Sequence, residues 1–144
     1  MKILYFLPTV LVLLLYFSRI CFTERTVVRV IDGDTVELDS GEKLRLIGID
    51  APEPGEPFFQ EAKLALKDMV EGKKVFVETD EFFMKDKYGR YVGYILLEGK
   101  IINCELVRKG LAKVVMENSL KYDCFKESEK IAKSEHLGVW SSSK

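Results

Sequence analysis

Three short segments carry residue types that suit phosphodiester chemistry. They are Val30-Ile31-Asp32-Gly33-Asp34-Thr35, Leu44-Arg45-Leu46-Ile47-Gly48-Ile49-Asp50-Ala51-Pro52-Glu53 and Asp86-Lys87-Tyr88-Gly89-Arg90. Asp34 and Asp50 are hard oxygen donors, and two carboxylates with one backbone carbonyl and waters make an open site for calcium. Such a cation acts as a Lewis acid toward a phosphate oxygen and orients an attacking water. Arg45 and Arg90 suit the phosphate itself, because a planar guanidinium offers it two parallel hydrogen bonds. Glu53 follows Asp50 by three residues, past a stiffening proline. It can take a proton from the water or orient it. Each piece alone is ordinary: Asp-Gly-Asp is a common turn and Lys87-Tyr88-Gly89-Arg90 reads as a polar loop. Their joint occurrence is what points to chemistry.

The elements that must position these residues follow from periodicity. Thr26 to Ile31 and Thr35 to Leu38 are valine-rich and alternate with charges, as two strands around the Asp32-Gly33-Asp34 turn. Lys43 to Ile49 reads as a third strand, Lys74 to Thr79 as a fourth and Tyr91 to Leu97 as a fifth. Between the third and fourth lies a helix with Pro57 as its first residue, apolar at Phe58, Ala62, Ala65, Leu66 and Met69, and closed by Gly72. Asn103 is placed to cap a short helix to Lys109, closed by Gly110, and Asp123 to cap a last helix to about Glu135 with Phe125 and Ala132 inward. Trp140 is expected to fold back on the core. The fold class is α+β: a five-stranded OB-type Greek-key barrel with about three helices, preceded by an N-terminal hydrophobic helix.

The 144-residue chain suits one domain behind a distinct N-terminus. Met1-Lys2 precedes a mostly apolar run from Ile3 to Phe17, with no charge until Arg19. Residues 1–22 read as a signal peptide or an uncleaved signal anchor, and residues 23–144 as the body. The expected location is therefore outside the cytoplasm, membrane-anchored or, after cleavage, secreted. Twenty-two basic residues against 23 acidic give a net charge of −1, which does not support nonspecific, high-affinity binding of nucleic acid through a broad positive face but leaves room for a small cation-assisted site. Cys104 and Cys124 form an even pair that can bridge in an oxidising compartment or remain two small helix residues. No Cys/His set has zinc spacing, and the lone His136 is expected to be a surface or helix-end residue.

The same segments resemble the staphylococcal nuclease (thermonuclease) family of calcium-dependent OB-fold nucleases. The resemblance runs from residue 26 to 140 and includes Asp32-Gly33-Asp34-Thr35, Arg45-Leu46, Asp50, Pro52-Glu53, Asp86 to Arg90, Asn103, Leu106-Val107-Arg108, Gly110 to Val114, Ser128-Glu129 and Trp140. It implies an endonuclease acting on DNA and RNA. It implies calcium held by Asp34, Asp50 and the carbonyl of Ala51, with Asp32 as a supporting acid near the metal. Arg45, Glu53 and Arg90 would be the catalytic set, and Lys87, Tyr88 and Lys113 would touch substrate. No obligatory protein partner is expected, and the domain reads as a monomer. Ala51 stands where the family nuclease has threonine, a change that a carbonyl ligand survives. Val115-Met116-Glu117-Asn118 stands where the family has tyrosines that pack on the nucleotide, which puts base preference in question. The loop from Pro54 to Pro57 is shorter than the family's. A competing class is an OB barrel that binds nucleic acid or protein without cutting, but such copies usually lack catalytic residues, and none is lost here.

Overall fold

A computed structural model describes residues 20–80, 85–117, 119 and 121–141. The expected N-terminal hydrophobic helix falls on residues outside the described ones. Among the described residues no helix is long and apolar enough to cross a membrane. Ile20, Cys21 and Phe22, which extend the apolar run in the sequence, open the first strand.

That strand, β1 (Ile20–Val30), does double duty. Its first part pairs antiparallel with β5 (Lys74–Asp80), from Ile20 opposite Asp80 to Thr26 opposite Lys74. Its second part pairs with β2 (Thr35–Leu38), and the register shifts between Val27 and Arg29. An irregularity of this kind bends a strand and raises its twist, so one strand can serve two sheet faces. β2 pairs with β3 (Lys43–Leu46), and β5 pairs with β6 (Tyr91–Leu97). The parallel pairing of β3 with β6, Leu44 beside Tyr91 through Leu46 beside Gly93, closes the barrel. Closure removes the exposed edges that an open five-stranded sheet would present. This is the OB-type Greek-key barrel expected from the sequence. Two-residue strands β4 (Ile49–Asp50) and β8 (Lys113–Val114) pair beside it, and β7 (Lys100–Ile101) pairs antiparallel with the end of β6.

Inward residues alternate along the strands. Val27, Val36, Leu38, Leu44, Leu46, Val75, Val77 and Ile95 are all buried. Helix α1 (Phe59–Val70) presents Ala62, Leu66 and Val70 to this core, the four-residue spacing of one helix face. Helix α2 (Ile102–Arg108) buries Leu106 and Val107, and α3 (Tyr122–Ser134) buries Phe125, Ser128 and Ala132. A Cys104–Cys124 disulfide, with Cα atoms 6.1 Å apart, ties α2 to α3. Gly48, at φ 83°, lies where a Cβ would fall 2.5 Å from the Phe125 ring, so the turn after β3 needs glycine twice over.

Several local expectations change. α1 starts at Phe59, not Pro57, because Phe58 takes a left-handed conformation (φ 68°) and ends the turn before it. Gly72, at φ 77°, closes α1 as expected and donates its N–H to the Val27 carbonyl. Asn103 is no cap: it lies inside α2, fully buried, and α2 has no side-chain cap. Its side chain accepts the Ile95 N–H and donates to the carbonyls of Ile47 (3.0 Å) and Gly93 (3.3 Å). Asp123 lies in the first turn of α3, which starts at Tyr122 without a side-chain cap. Trp140 sits half-buried in a 3₁₀ turn (Gly138–Trp140), with the Lys133 and Lys113 ammonium groups 4.5 and 5.7 Å from its ring. His136 is exposed just past α3.

Asn103 is thus a polar rivet in an apolar core. Asn103→Ala leaves the Ile95 N–H and the Ile47 carbonyl short of a partner, while the Gly93 carbonyl keeps the Ile47 N–H; it is expected to cost about 3 kcal/mol of folding free energy. Urea unfolding followed by Trp140 fluorescence measures this. A loss under about 1 kcal/mol would show that water or relaxation satisfies those groups.

Candidate active site

The β1–β2 turn sets the first carboxylate. The N–H of Ile31 reaches the Thr35 carbonyl at 2.9 Å, and Asp32 Oδ1 accepts the Asp34 N–H at 3.1 Å. Gly33 lets this turn press inward. A Cβ there would fall 2.7 Å from the Ala51 Cβ and 2.8 Å from the Ala62 Cβ. The turn therefore rests on the end of β4 and on α1, and Asp34 is buried.

Asp34 is well supplied with donors. Oδ1 accepts the Thr35 hydroxyl at 3.1 Å, while Oδ2 accepts the Ala51 N–H at 2.9 Å and pairs with Arg45 Nη1 at 2.9 Å. Burial still wins. It pushes the Asp34 carboxyl up to about 6, against the lowering effects of the Ala51 N–H, Arg45 and Thr35 and with a further push from Asp32. Asp34 is a carboxylate that would gain from more positive charge beside it.

Arg45 supplies the existing charge. Its Nη1 also donates to the carbonyls of Leu46 (3.1 Å) and Ile49 (3.0 Å), and Nη2 donates to Asp50 Oδ1 at 3.0 Å. One guanidinium therefore bridges Asp34 and Asp50. The Asp50 side chain is 55% exposed, so the cluster opens outward on that side. Asp34, Arg45, Asp50 and Ala51 come together as expected. Among the described residues there is no group of three or more His, Cys, Asp or Glu side chains placed to hold a metal. The donors available to a cation are two carboxylates and backbone oxygen, an all-oxygen set that suits a hard ion.

The third segment forms its own unit. Asp86 Oδ1 accepts the N–H groups of Tyr88 (2.9 Å) and Arg90 (3.0 Å), and Asp86 Oδ2 accepts Arg90 Nε at 2.7 Å. Burial alone would raise the Asp86 carboxyl, but the Arg90 N–H, the Arg90 side chain and the Tyr88 N–H together hold it below the ordinary range. The Tyr88 ring is 71% exposed, with Arg90 Cζ at 5.3 Å and Lys87 Nζ at 5.0 Å from its centroid. This turn enters β6, whose Val92 lies beside Arg45. No hydrogen bond or ion pair joins Arg90 to the Asp34–Arg45–Asp50 cluster among the described residues. Reading the sequence gave Asp86 no role; a carboxylate two and four residues before the N–H groups it binds is the signal that identifies it as the anchor of Arg90.

Glu53 lies in a turn in which its N–H donates to Glu56 Oε2 at 2.7 Å and its carbonyl accepts the Glu56 N–H at 2.9 Å. These bonds fix its backbone, while the residue itself is exposed. Lys113, also exposed, stands opposite Asp50 in the β4–β8 pair. Beside this pair runs a cleft of about 360 Å³, with Asp50, Pro52, Phe58, Lys113 and Val139 among its walls. Phe58 and Val139 were not legible as site residues, since only the fold brings them beside Asp50.

The family model for staphylococcal nuclease homologues matches residues 43–142. The SPbeta prophage-derived endonuclease YokF of Bacillus subtilis (strain 168) is 36% identical over 128 residues, covering 81% of this chain and 43% of that protein. The endonuclease YncB of the same organism is 36% identical over 130 residues, covering 82% of this chain and 62% of its own length. The chain thus spans less than two thirds of either. The thermonuclease of Staphylococcus intermedius is 34% identical over 125 residues, which is 79% of this chain and 74% of the relative. With an OB barrel, a family match over most of its length and a thermonuclease covered for about three quarters, this chain belongs to the staphylococcal nuclease homologue family.

Proposed function

We propose that this chain is a calcium-dependent endonuclease that hydrolyses phosphodiester bonds in DNA and RNA. The observation that carries the reading is the single Arg45 guanidinium held between Asp34 and Asp50 at 2.9 and 3.0 Å. A guanidinium of a kind that suits phosphate and two hard oxygen donors share one small volume, which supports the reading. The names of the relatives, endonuclease and thermonuclease, support the same class.

Asp34, Asp50 and the Ala51 carbonyl would hold the cation, with Asp32 as the supporting acid. When bound, calcium supplies Lewis acidity toward a phosphate oxygen and a polarised water. Arg45 is tethered through Nη1 to two backbone carbonyls. Arg45 Nη2 gives one of its two N–H groups to Asp50 Oδ1, which leaves the other for a phosphate. Arg90 is tethered through Nε to Asp86, which leaves its two terminal nitrogens for a forked contact with the phosphate. Both arginines then offset the charge that grows on the five-coordinate phosphorus. Glu53, exposed and with its backbone fixed, takes the proton of the attacking water. The water oxygen bonds to phosphorus, the ester oxygen on the opposite side leaves, and solvent protonates it. Lys87, Tyr88 and Lys113 hold the flanking chain. The same reading sets the domain outside the cytoplasm, where the Cys104–Cys124 disulfide is stable and calcium is abundant, with residues 1–22 as its signal or anchor.

The arginine roles are tested by Arg45→Lys and Arg90→Lys in the full chain. A lysine keeps the charge but not the fork. Each substitution is expected to lower kcat on single-stranded DNA about 100- to 1000-fold. A variant within threefold of the parent would show that its arginine is not a clamp.

The metal role has a test beyond turnover. The folded-state Asp34 carboxyl, at about 6, lies above its ordinary unfolded value. The folded chain therefore binds the extra proton, and metal-free stability falls as pH rises from about 4 through 6. At neutral pH, Asp34→Asn without calcium is expected to melt higher than the parent. Calcium is expected to raise the parent's melting temperature and to support DNA cleavage that chelator abolishes, and to do neither for Asp34→Asn. Equal calcium shifts in both proteins would remove Asp34 from the metal site.

A further inference from the structure

Of the walls of the cleft beside Asp50, only Asp50, Ala51 and Lys113 have a part in the proposed reaction; Pro52, Pro57, Phe58 and Val139 have none. The cleft's volume, about 360 Å³, is at the lower end of the range for small-ligand sites, room for one nucleotide and not for a duplex. It is continuous with the reacting centre, because Asp50 both accepts Arg45 Nη2 and lines the cleft. Of residues 85–90, which carry Tyr88, none lines it.

Three features suit it to a nucleotide. The first is Lys113, exposed at its wall and opposite Asp50 in the β4–β8 pair. Its recorded side-chain contact is the face of Trp140 at 5.7 Å, with no carboxylate partner among the described residues. The second is the apolar surface of Pro52, Pro57, Phe58 and Val139. The third is the backbone of Phe58. A bulky residue at φ 68° is a real outlier, and such strain is kept where the surroundings over-determine it. Here it ends a turn so that a half-buried aromatic lies in the cleft wall instead of starting the helix. Elsewhere near the site, the exposed residues Val115 and Met116 offer no ring on which a base can stack.

We propose that this cleft is a second nucleotide subsite. It takes one nucleotide of single-stranded DNA or RNA, on the side of the scissile phosphate away from Tyr88. Lys113 meets that nucleotide's outer phosphate, and its base lies against Phe58 and Pro52. The proposal rests on the nuclease reading and adds to it a single-stranded substrate threaded through two unlike subsites. An aromatic face tolerates any base, so this subsite selects for an unpaired strand more than for sequence.

The test uses the full chain with calcium and oligothymidylates of graded length. One reads kcat/KM for the shortest oligomer cleaved and the gain on adding a nucleotide at either end. Phe58→Gly removes the ring at a backbone conformation that glycine adopts freely, and Lys113→Gln removes the charge. Each is expected to cut the gain at one end, the same end for both, by roughly five- to tenfold. A merely structural fault lowers short and long substrates by one common factor and leaves the gain intact. A parent that cleaves, with gains at both ends preserved in both variants, overturns the subsite and leaves the nuclease reading standing. A parent that cleaves no oligomer overturns both.

Discussion

Arg45 must satisfy two carboxylates and two carbonyls with one guanidinium, and much of the molecule is arranged around that demand. Asp34 is buried, and a buried carboxylate without a partner would take up a proton instead. To put Arg45 beside it, β2 and β3 must run in register, with Thr35 opposite Arg45. To keep solvent out, β3 must be covered on its other edge, and β6 does so through the parallel pairing that closes the barrel. The charge pair and the barrel closure are thus one constraint. Remove the closure and Arg45 lies on a solvated edge strand; remove Arg45 and the closed barrel is left with a poorly compensated acid.

Small residues make this burial possible. Gly33 has no Cβ, and the side chains of Ala51 and Ala62 end at theirs, so the Asp32-Gly33-Asp34 turn can touch both β4 and α1. That contact brings the Ala51 N–H to Asp34 Oδ2. Position 51 does this work through its backbone N–H, so a side chain as small as alanine's suffices. A larger side chain at Gly33 would lift the turn and withdraw Asp34 from Arg45. The Asp-Gly-Asp spacing is therefore set by packing as much as by charge.

The parts of the fold and site that were legible in the sequence are those with local physical signals. Val36 and Leu38 in β2 and Val75 and Val77 in β5 give a period-two signal, and Gly72 and Gly110 mark helix ends through their positive φ. Asp34, Arg45 and Asp50 stood out by type and spacing, and the barrel brings them within hydrogen-bond distance. What was not legible depends on partners far along the chain. Ile20-Cys21-Phe22 reads as the tail of an apolar run, and only the β5 edge makes it strand. β4 and β8 are two residues each and exist because each pairs with the other. Asn103 has the residue type of a cap, yet three buried backbone groups from the barrel claim its side chain. Local preference lost there because an unmet buried N–H or carbonyl costs more than a frayed helix start.

Phe58 shows the same competition at the site itself. Pro57 has the fixed φ that suits a first helical residue, and Phe58 would then continue the helix. Instead the helix begins one residue later than Phe58 and gives up a side-chain cap. The short turn Glu53-Pro54-Gly55-Glu56 explains why. It is closed by Glu56 at both ends, through its N–H to the Glu53 carbonyl and its carboxylate to the Glu53 N–H. That closure fixes the direction in which the chain leaves, and α1 must still place Ala62 under Gly33 and Leu66 in the core. Between two fixed ends, Pro57 has no φ to give, so Phe58 absorbs the mismatch by turning left-handed. The strain is the consequence of holding Glu53 exposed on one side and Asp34 buried on the other, with only four residues between that turn's start and the strained one.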